Sequence, residues 1–374
     1  MSPPIAQQYG IYVHVPWCRA RCPYCAFNVE VDPNRDPTGW LDALVEAWRN
    51  EATHFPGTAH SLYLGGGTPS LIPAGVVAKL VDSMPLTPGA EVTLEANPGT
   101  VQIGDLRAFK DAGINRLSIG VQSLQPSVAR RLGRGHTIEQ AQQLLKDVGA
   151  VGFDSWSMDL IFGVPNQSLA HLNADIDAIK AIEPPHVSLY GLSIEPGTPF
   201  HQQEAQGTLR LPDTEDWRAQ YDRIVDELTA GGWERYEVSN FARPGHRGRH
   251  NEAVWRGGHY AGLGPGAHGF RPDGARTTSQ PNVQAWMSEP LPTSDHPSDH
   301  DAAIDHILST LRHVEGTEHE TLHSLSGHRL CKQTIELLSQ SGLICRDAHR
   351  IRLTHEGFPV ADGITRRLCS SLSA

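Results

Sequence analysis

From residue 10 to about residue 240 the chain alternates short apolar runs with longer amphipathic stretches, the pattern of strand and helix units built on a parallel sheet. The runs IYVHV (11–15), SLYLGG (61–66), EVTLEAN (91–97), RLSIGVQ (116–122), SWSMDLIFG (155–163) and HVSLYGLS (186–193) predict strands. WLDALVEAWRNEA (40–52), DLRAFKDAG (105–113) and IEQAQQLLKDVGA (138–150) predict helices, the last two closed by a small residue. Such repeats predict an α/β fold, a full or partial (β/α) barrel rather than an open doubly wound sheet. The ends of the runs favour the barrel. Cysteines follow the first, GGGTP the second, and Glu95, Asn97, Gln122, Asp159, Ser193 and Glu195 close later ones. In a barrel those ends converge on one face, where such folds place their chemistry.

The pattern changes after residue 240. A stretch rich in Gly, Arg and His runs to about 270, and RPDGARTTSQPN (271–282) and LPTSDHPSDHD (291–301) read as exposed loops. Beyond them, 302–316 and 330–344 predict helices, RIRLT (350–354) a short strand, and 356–372 a further helix despite Pro359. The expected division is a barrel core over 1–240, a connecting region over 241–295, and a small C-terminal α+β domain over 296–374 resembling a winged helix.

The charge totals exclude some functions. Lys plus Arg is 31 and Asp plus Glu 42 in 374 residues, a net charge of −11 that opposes wholesale binding to nucleic acid or anionic membrane. No apolar run is long enough to span a bilayer, and the N-terminal MSPPIAQQYG lacks the basic and apolar regions of a signal peptide, so the expected location is cytoplasmic.

Three of the six cysteines, Cys18, Cys22 and Cys25, form a C-x3-C-x2-C cluster in YVHVPWCRARCPYCAFN. A zinc site completed by His14 is one reading. A [4Fe-4S] cube is the other, with three irons held by thiolates and the fourth open to a non-protein ligand. Trp17, Tyr24 and Phe27 lie beside the thiolates, either as a shell that excludes water or as core aromatics. GGGTPS (65–70) offers bare backbone to a ligand, while Glu95, Gln122, Arg134 and Asp159 can bond a zwitterion or a ribose. HETLH (319–323) matches a zinc-protease pattern formally, but with no third ligand evident the C-terminal histidines read as solvated.

The cysteine spacing on the loop after the first strand resembles the radical S-adenosylmethionine (SAM) enzymes, in which SAM chelates the open iron. YVHVPWC, YLGGGTPS, LEANPGT, RLSIGVQSL, RLGRGH, DLIFGVPNQ, YGLSIEPGTP, YEVSNFA and GLGPGAHG resemble the family of oxygen-independent coproporphyrinogen III oxidase and its relatives. That resemblance implies a partial barrel of the radical SAM type, with a [4Fe-4S] cluster on Cys18, Cys22 and Cys25. It implies SAM lined by Tyr12, Tyr24, Gly66, Gly67, Thr68, Glu95, Gln122, Arg134 and Asp159. The oxidases carry one more cysteine and a longer segment before the cluster; here Phe27 stands at the extra position and 17 residues precede Cys18. Both features resemble the HemW subfamily of heme chaperones, which bind heme and pass it to acceptor proteins.

Its H-N-x-x-Y-W heme motif reads HNEAVW here, with His250, Asn251 and Trp255 matching and Val254 at the tyrosine's place. The resemblance implies His250 as the heme ligand, with Arg243, Arg247 and Arg249 near enough in sequence to pair with the propionates. The implied partners are heme and its acceptor proteins, with peripheral membrane contact only through an acceptor. Coproporphyrinogen oxidase activity is expected to be absent. The alternatives are the oxidase itself and a radical SAM methyltransferase of the same branch.

Overall fold

The computed structural model describes residues 8–373, so the N-terminal segment on which the signal-peptide reading rests lies largely outside the described residues. The six predicted strands form as β1 (Tyr9–Val15), β2 (Ala59–Gly66), β3 (Leu86–Ala96), β4 (Arg116–Gln122), β5 (Ser155–Phe162) and β6 (His186–Gly191). They pair in chain order, each parallel to the next. The crossovers are α1 (Pro37–Glu51), α2 (Ala74–Ser83), α3 (Ile103–Asp111), α4 (Pro126–Arg131), α5 (Ile138–Val151) and α6 (Leu169–Ile182). Local chemistry marks their ends: Thr137 and Ser168 cap α5 and α6 through capping boxes, and Gly152 ends α5 in the left-handed conformation at φ 73°.

Each strand is apolar on its outer face and polar on its inner one. Ile11, Val13, Leu62, Leu64, Val92, Leu94, Leu117, Ile119, Met158 and Leu160 belong to the main hydrophobic core. The alternate positions carry Tyr12, His14, Ser61, Tyr63, Glu91, Glu95, Ser118, Ser157, Asp159, His186 and Ser188, hydrogen-bonded to one another or to groups inside the barrel. Parallel sheets usually bury apolar residues on both faces. A polar lumen departs from that rule and is the first structural sign of a ligand-holding interior.

After β6 come α7 (Pro199–Ala205), α8 (Thr214–Ala230), β7 (Glu234–Arg235) and β8 (Asn240–Ala242), then α9 (Arg249–Trp255) and β9 (Tyr260–Leu263), which runs parallel to β1. The sheet continues through β10 (His268–Phe270) and β11 (Arg276–Thr278), past α10 (Val283–Ser288), to β12 (Thr293–Asp295). Its order is β12-β11-β10-β9-β1-β2-β3-β4-β5-β6-β8-β7, so the barrel is partial, with β12 and β7 as its edges. The two stretches read as loops therefore hold strands β11 and β12. Three polar residues paired antiparallel at a sheet edge leave no periodicity to read.

The C-terminal segment contains α11 (Asp299–Thr310), β13 (Thr317–Glu318), α12 (His319–Ser326), α13 (Lys332–Gln340), β14 (Ile344–Arg346), β15 (Arg350–Leu353) and α14 (Ala361–Cys369). Its sheet is antiparallel, ordered β13-β15-β14. A 3-10 turn at Phe358–Val360 takes Pro359 before α14 begins. Among the described residues no helix is long and apolar enough to cross a membrane.

Candidate cofactor and ligand site

The loop after β1 carries the three free, half-buried cysteines. It is fastened at its base, where Cys18 N–H donates to Glu30 O at 2.9 Å and Glu30 N–H to Pro16 O at 2.7 Å. The GGGTP turn after β2 packs directly on it: Gly67 N–H donates to Val15 O and Thr68 N–H to Trp17 O, both at 2.8 Å. A side chain at Gly67 would bring its Cβ within 2.6 Å of Trp17 O, so glycine is required there by backbone packing. Gly66 holds φ at 104° and lines the main cavity.

Two side chains reach the thiols. Thr68 Oγ1 donates to Cys18 Sγ at 3.4 Å, and Arg134 Nη1 to Cys22 Sγ at 3.5 Å. Burial pushes the Cys18 and Cys25 thiols up, and the Thr68 bond pulls Cys18 part of the way back. Arg134 also donates through Nη2 to Asn97 Oδ1 at 2.5 Å and to Gly120 O at 2.8 Å, while its Nε is buried without a partner. Gln122 stands in the left-handed region at φ 69° with Oε1 also buried and unpartnered. Orphaned polar atoms of both signs beside three thiols fit a zwitterionic ligand bound next to a cluster.

The zinc reading fails on His14. Its Nε2 donates to Asn28 O at 2.8 Å and its Nδ1 lies 3.1 Å from Tyr12 Oη, so both nitrogens are engaged. Trp17 is a core aromatic, 2 % exposed and edge-on to Trp40, while Phe27 is 62 % exposed.

Above α9 lies a cavity of about 480 Å³. Its walls include Tyr12, Gly66 and Glu95 from the expected SAM set, and His250, Asn251, Val254 and Trp255 from HNEAVW. Glu95 accepts from Tyr63 Oη at 2.8 Å and Gly66 N–H at 3.1 Å, yet burial pushes its carboxyl up to about 7. Thr68, Arg134 and Tyr24 gather at the cysteine loop instead, Tyr24 packing against Phe200. Asp159 is buried in the lumen, where Ser118 and Ser157 each donate to it at 2.5 Å; burial still raises its pKa.

His250 projects from α9 into an aromatic setting, with its ring centroid 5.3 Å from that of Tyr63 and 6.3 Å from that of Tyr260. Nδ1 is 2.9 Å from Ser61 Oγ, and burial lowers the ring's pKa to about 3, so it is neutral. The helix is seated by Glu91, which accepts from the N–H groups of Arg249 at 3.0 Å and His250 at 3.1 Å. Sequence reasoning missed Glu91, Ser61 and Tyr63 as parts of the site; the only signal was polar residues alternating within apolar strands.

The arginines before the motif are engaged away from the cavity. Arg243 pairs with Glu183 and covers Trp233; Arg247 pairs with Glu252 and Glu234; Arg249 donates to Gly89 O. The C-terminal histidines are not uniformly solvated either, since His306 and His313 are buried against the barrel, His313 facing Glu252.

The sequence profile of the Radical SAM superfamily matches residues 12–179, the segment that holds the cysteines and every expected SAM residue. The chain is 34% identical to the heme chaperone HemW of Escherichia coli (strain K12) over 92% of this chain and 89% of that one. It is 37% identical to HemW of Mycobacterium tuberculosis (strain ATCC 25618 / H37Rv) over 72% and 71% of the two chains. To the mitochondrial radical S-adenosyl methionine domain-containing protein 1 of Bos taurus it is 34% identical, over 99% and 89%. In three dimensions it resembles coproporphyrinogen III oxidase (HemN) of E. coli with a TM-score of 0.81, over 99% and 92% of the chains; at 20% identity this likeness concerns the fold. With its cysteine loop, partial barrel and near full-length similarity, the chain belongs to the HemW family of radical SAM proteins, whose cofactors are a [4Fe-4S] cluster and SAM.

Proposed function

We propose that the protein binds heme in the cavity above α9 and passes it to acceptor proteins, with the cluster on Cys18, Cys22 and Cys25 and SAM at the barrel mouth. One observation carries this reading: Tyr12, Gly66 and Glu95 share a single cavity with His250, Asn251, Val254 and Trp255. The relatives named heme chaperones support the activity class. A bound cluster supplies a low-potential electron, and SAM a sulfonium that accepts it.

Arg134, Glu95 and Gln122 orient the SAM zwitterion, with Tyr12, Tyr24, Gly66, Gly67, Thr68 and Asp159 completing its surroundings. His250 is the side chain suited to heme iron, because it is neutral and Ser61 can hold Nδ1 while Nε2 ligates. Val254 replaces the motif's tyrosine on the cavity wall, leaving His250 as the one strong ligand of the motif. A cytoplasmic location, with membrane contact only through an acceptor, completes the proposal.

The test pairs two assays. Anaerobic protein given coproporphyrinogen III, SAM and a reductant forms no protoporphyrinogen IX, while heme titration gives a saturable Soret change that His250→Ala weakens with iron content intact. Robust decarboxylation, or heme binding unaltered by His250→Ala, refutes it.

A further inference from the structure

Two of the three cluster thiols receive a hydrogen bond from a side chain, and the two donors are joined by one residue. Asn97, just beyond the end of β3, accepts through Oδ1 from Arg134 Nη2 at 2.5 Å and donates through Nδ2 to Thr68 Oγ1 at 3.1 Å. Arg134 Nη1 donates to Cys22 Sγ and Thr68 Oγ1 to Cys18 Sγ. The chain is therefore Cys22, Arg134, Asn97, Thr68, Cys18.

Its direction is set by chemistry. A guanidinium has donors only, so the amide must turn its oxygen toward Arg134, which turns its NH2 toward Thr68. The threonine oxygen then accepts, and its single proton is left for the sulfur. Asn97 is itself fixed, since its carbonyl accepts from Thr100 N–H at 3.2 Å and Thr100 Oγ1 at 2.6 Å, and Thr100 Oγ1 lies 2.8 Å from Ser70 Oγ.

We propose that Asn97 is a positioning residue for the iron-sulfur cluster, aiming both the Arg134 and the Thr68 donor at the cysteine sulfurs and so raising the cluster's reduction potential. The inference rests on the cluster being held by Cys18, Cys22 and Cys25. Reduction adds negative charge, which donors to the sulfurs stabilise more in the reduced than in the oxidised state. Without Asn97 the Thr68 hydroxyl is free to turn away, and Arg134 loses one of the contacts that fix its direction, keeping its bond to Gly120 O.

The experiment is a reductive titration of reconstituted full-length protein, followed by the electron paramagnetic resonance of the reduced cluster. A wild-type protein that loads no cluster fails at the underlying reading, before Asn97 is tested. With the cluster present, Asn97→Leu makes reduction at least tenfold less favourable, a fall of about 59 mV for a one-electron couple, at unchanged iron content. Should that variant not load iron, Asn97→Ala serves the same comparison. Thr68→Val lowers the potential too, and the Asn97→Leu, Thr68→Val pair shifts it by less than the sum because the two act in one chain. A variant with full iron and an unmoved midpoint, or strictly additive shifts, overturns the proposal.

Discussion

Replacing Glu91 by alanine removes both acceptors that seat α9 in the barrel. The carboxylate is 8 % exposed and takes the first two N–H groups of the helix, 3.0 and 3.1 Å away, across 158 and 159 residues of sequence. Bonds to a charged acceptor contribute about 1.5–3 kcal/mol each, so the pair holds α9 by about 3–6 kcal/mol. A seven-residue helix has no stability of its own and depends on such anchors. Since about 1.4 kcal/mol is a factor of ten, amide exchange over 249–255 in Glu91→Ala should accelerate by about a hundredfold or more. Heme affinity should fall with it, because His250, Asn251, Val254 and Trp255 all ride on this helix. Iron content should not change, since the cysteine loop lies at the opposite ends of the strands. Glu91→Gln, which keeps one acceptor, should fall between. Exchange protection over 249–255 and heme affinity both retained in Glu91→Ala would refute the idea that this carboxylate seats the heme helix.

Alanine at Cys18, Cys22 or Cys25 should each abolish iron and brown colour in anaerobically reconstituted protein; stoichiometric zinc without iron would contradict the cluster assignment. Glu237 is 1 % exposed, and burial pushes its carboxyl up to about 7 from the ordinary glutamate value of 4.5. Between those values the folded state holds a proton that the unfolded state has lost, so stability falls as pH rises through the window and levels off above 7. At about 1.4 kcal/mol per pH unit this amounts to about 3.5 kcal/mol. Denaturant titrations at pH 5 and pH 8 should show Glu237→Gln gaining on the wild type by up to that amount, and a difference independent of pH would rule out the carboxyl as the cause.

Much of the fold was legible because its signals are local. Strand alternation, the Thr137 and Ser168 caps and the glycine after α5 act over a few residues, and the parallel order of β1 to β6 follows from right-handed crossovers between consecutive strands. The cysteine spacing was readable for the same reason, since all three thiols sit on one short loop. What tertiary structure decided involves partners far apart in the chain. Glu91 reads as an ordinary strand residue until α9 enters the lumen and places two unpaired N–H groups against it. Asn97 becomes the link between two thiol donors only when the segments after β2, β3 and α4 converge. Arg243, Arg247 and Arg249 resembled propionate partners by nearness in sequence, but Glu183, Glu234, Glu252 and a backbone carbonyl claim them in space. His306 and His313 sit in a stretch that reads as solvated and are covered by packing of the C-terminal helices on the barrel. Periodicity reports which face of an element is buried. Which polar groups then meet on the buried face is settled by sheet order and by the helix that fills the lumen.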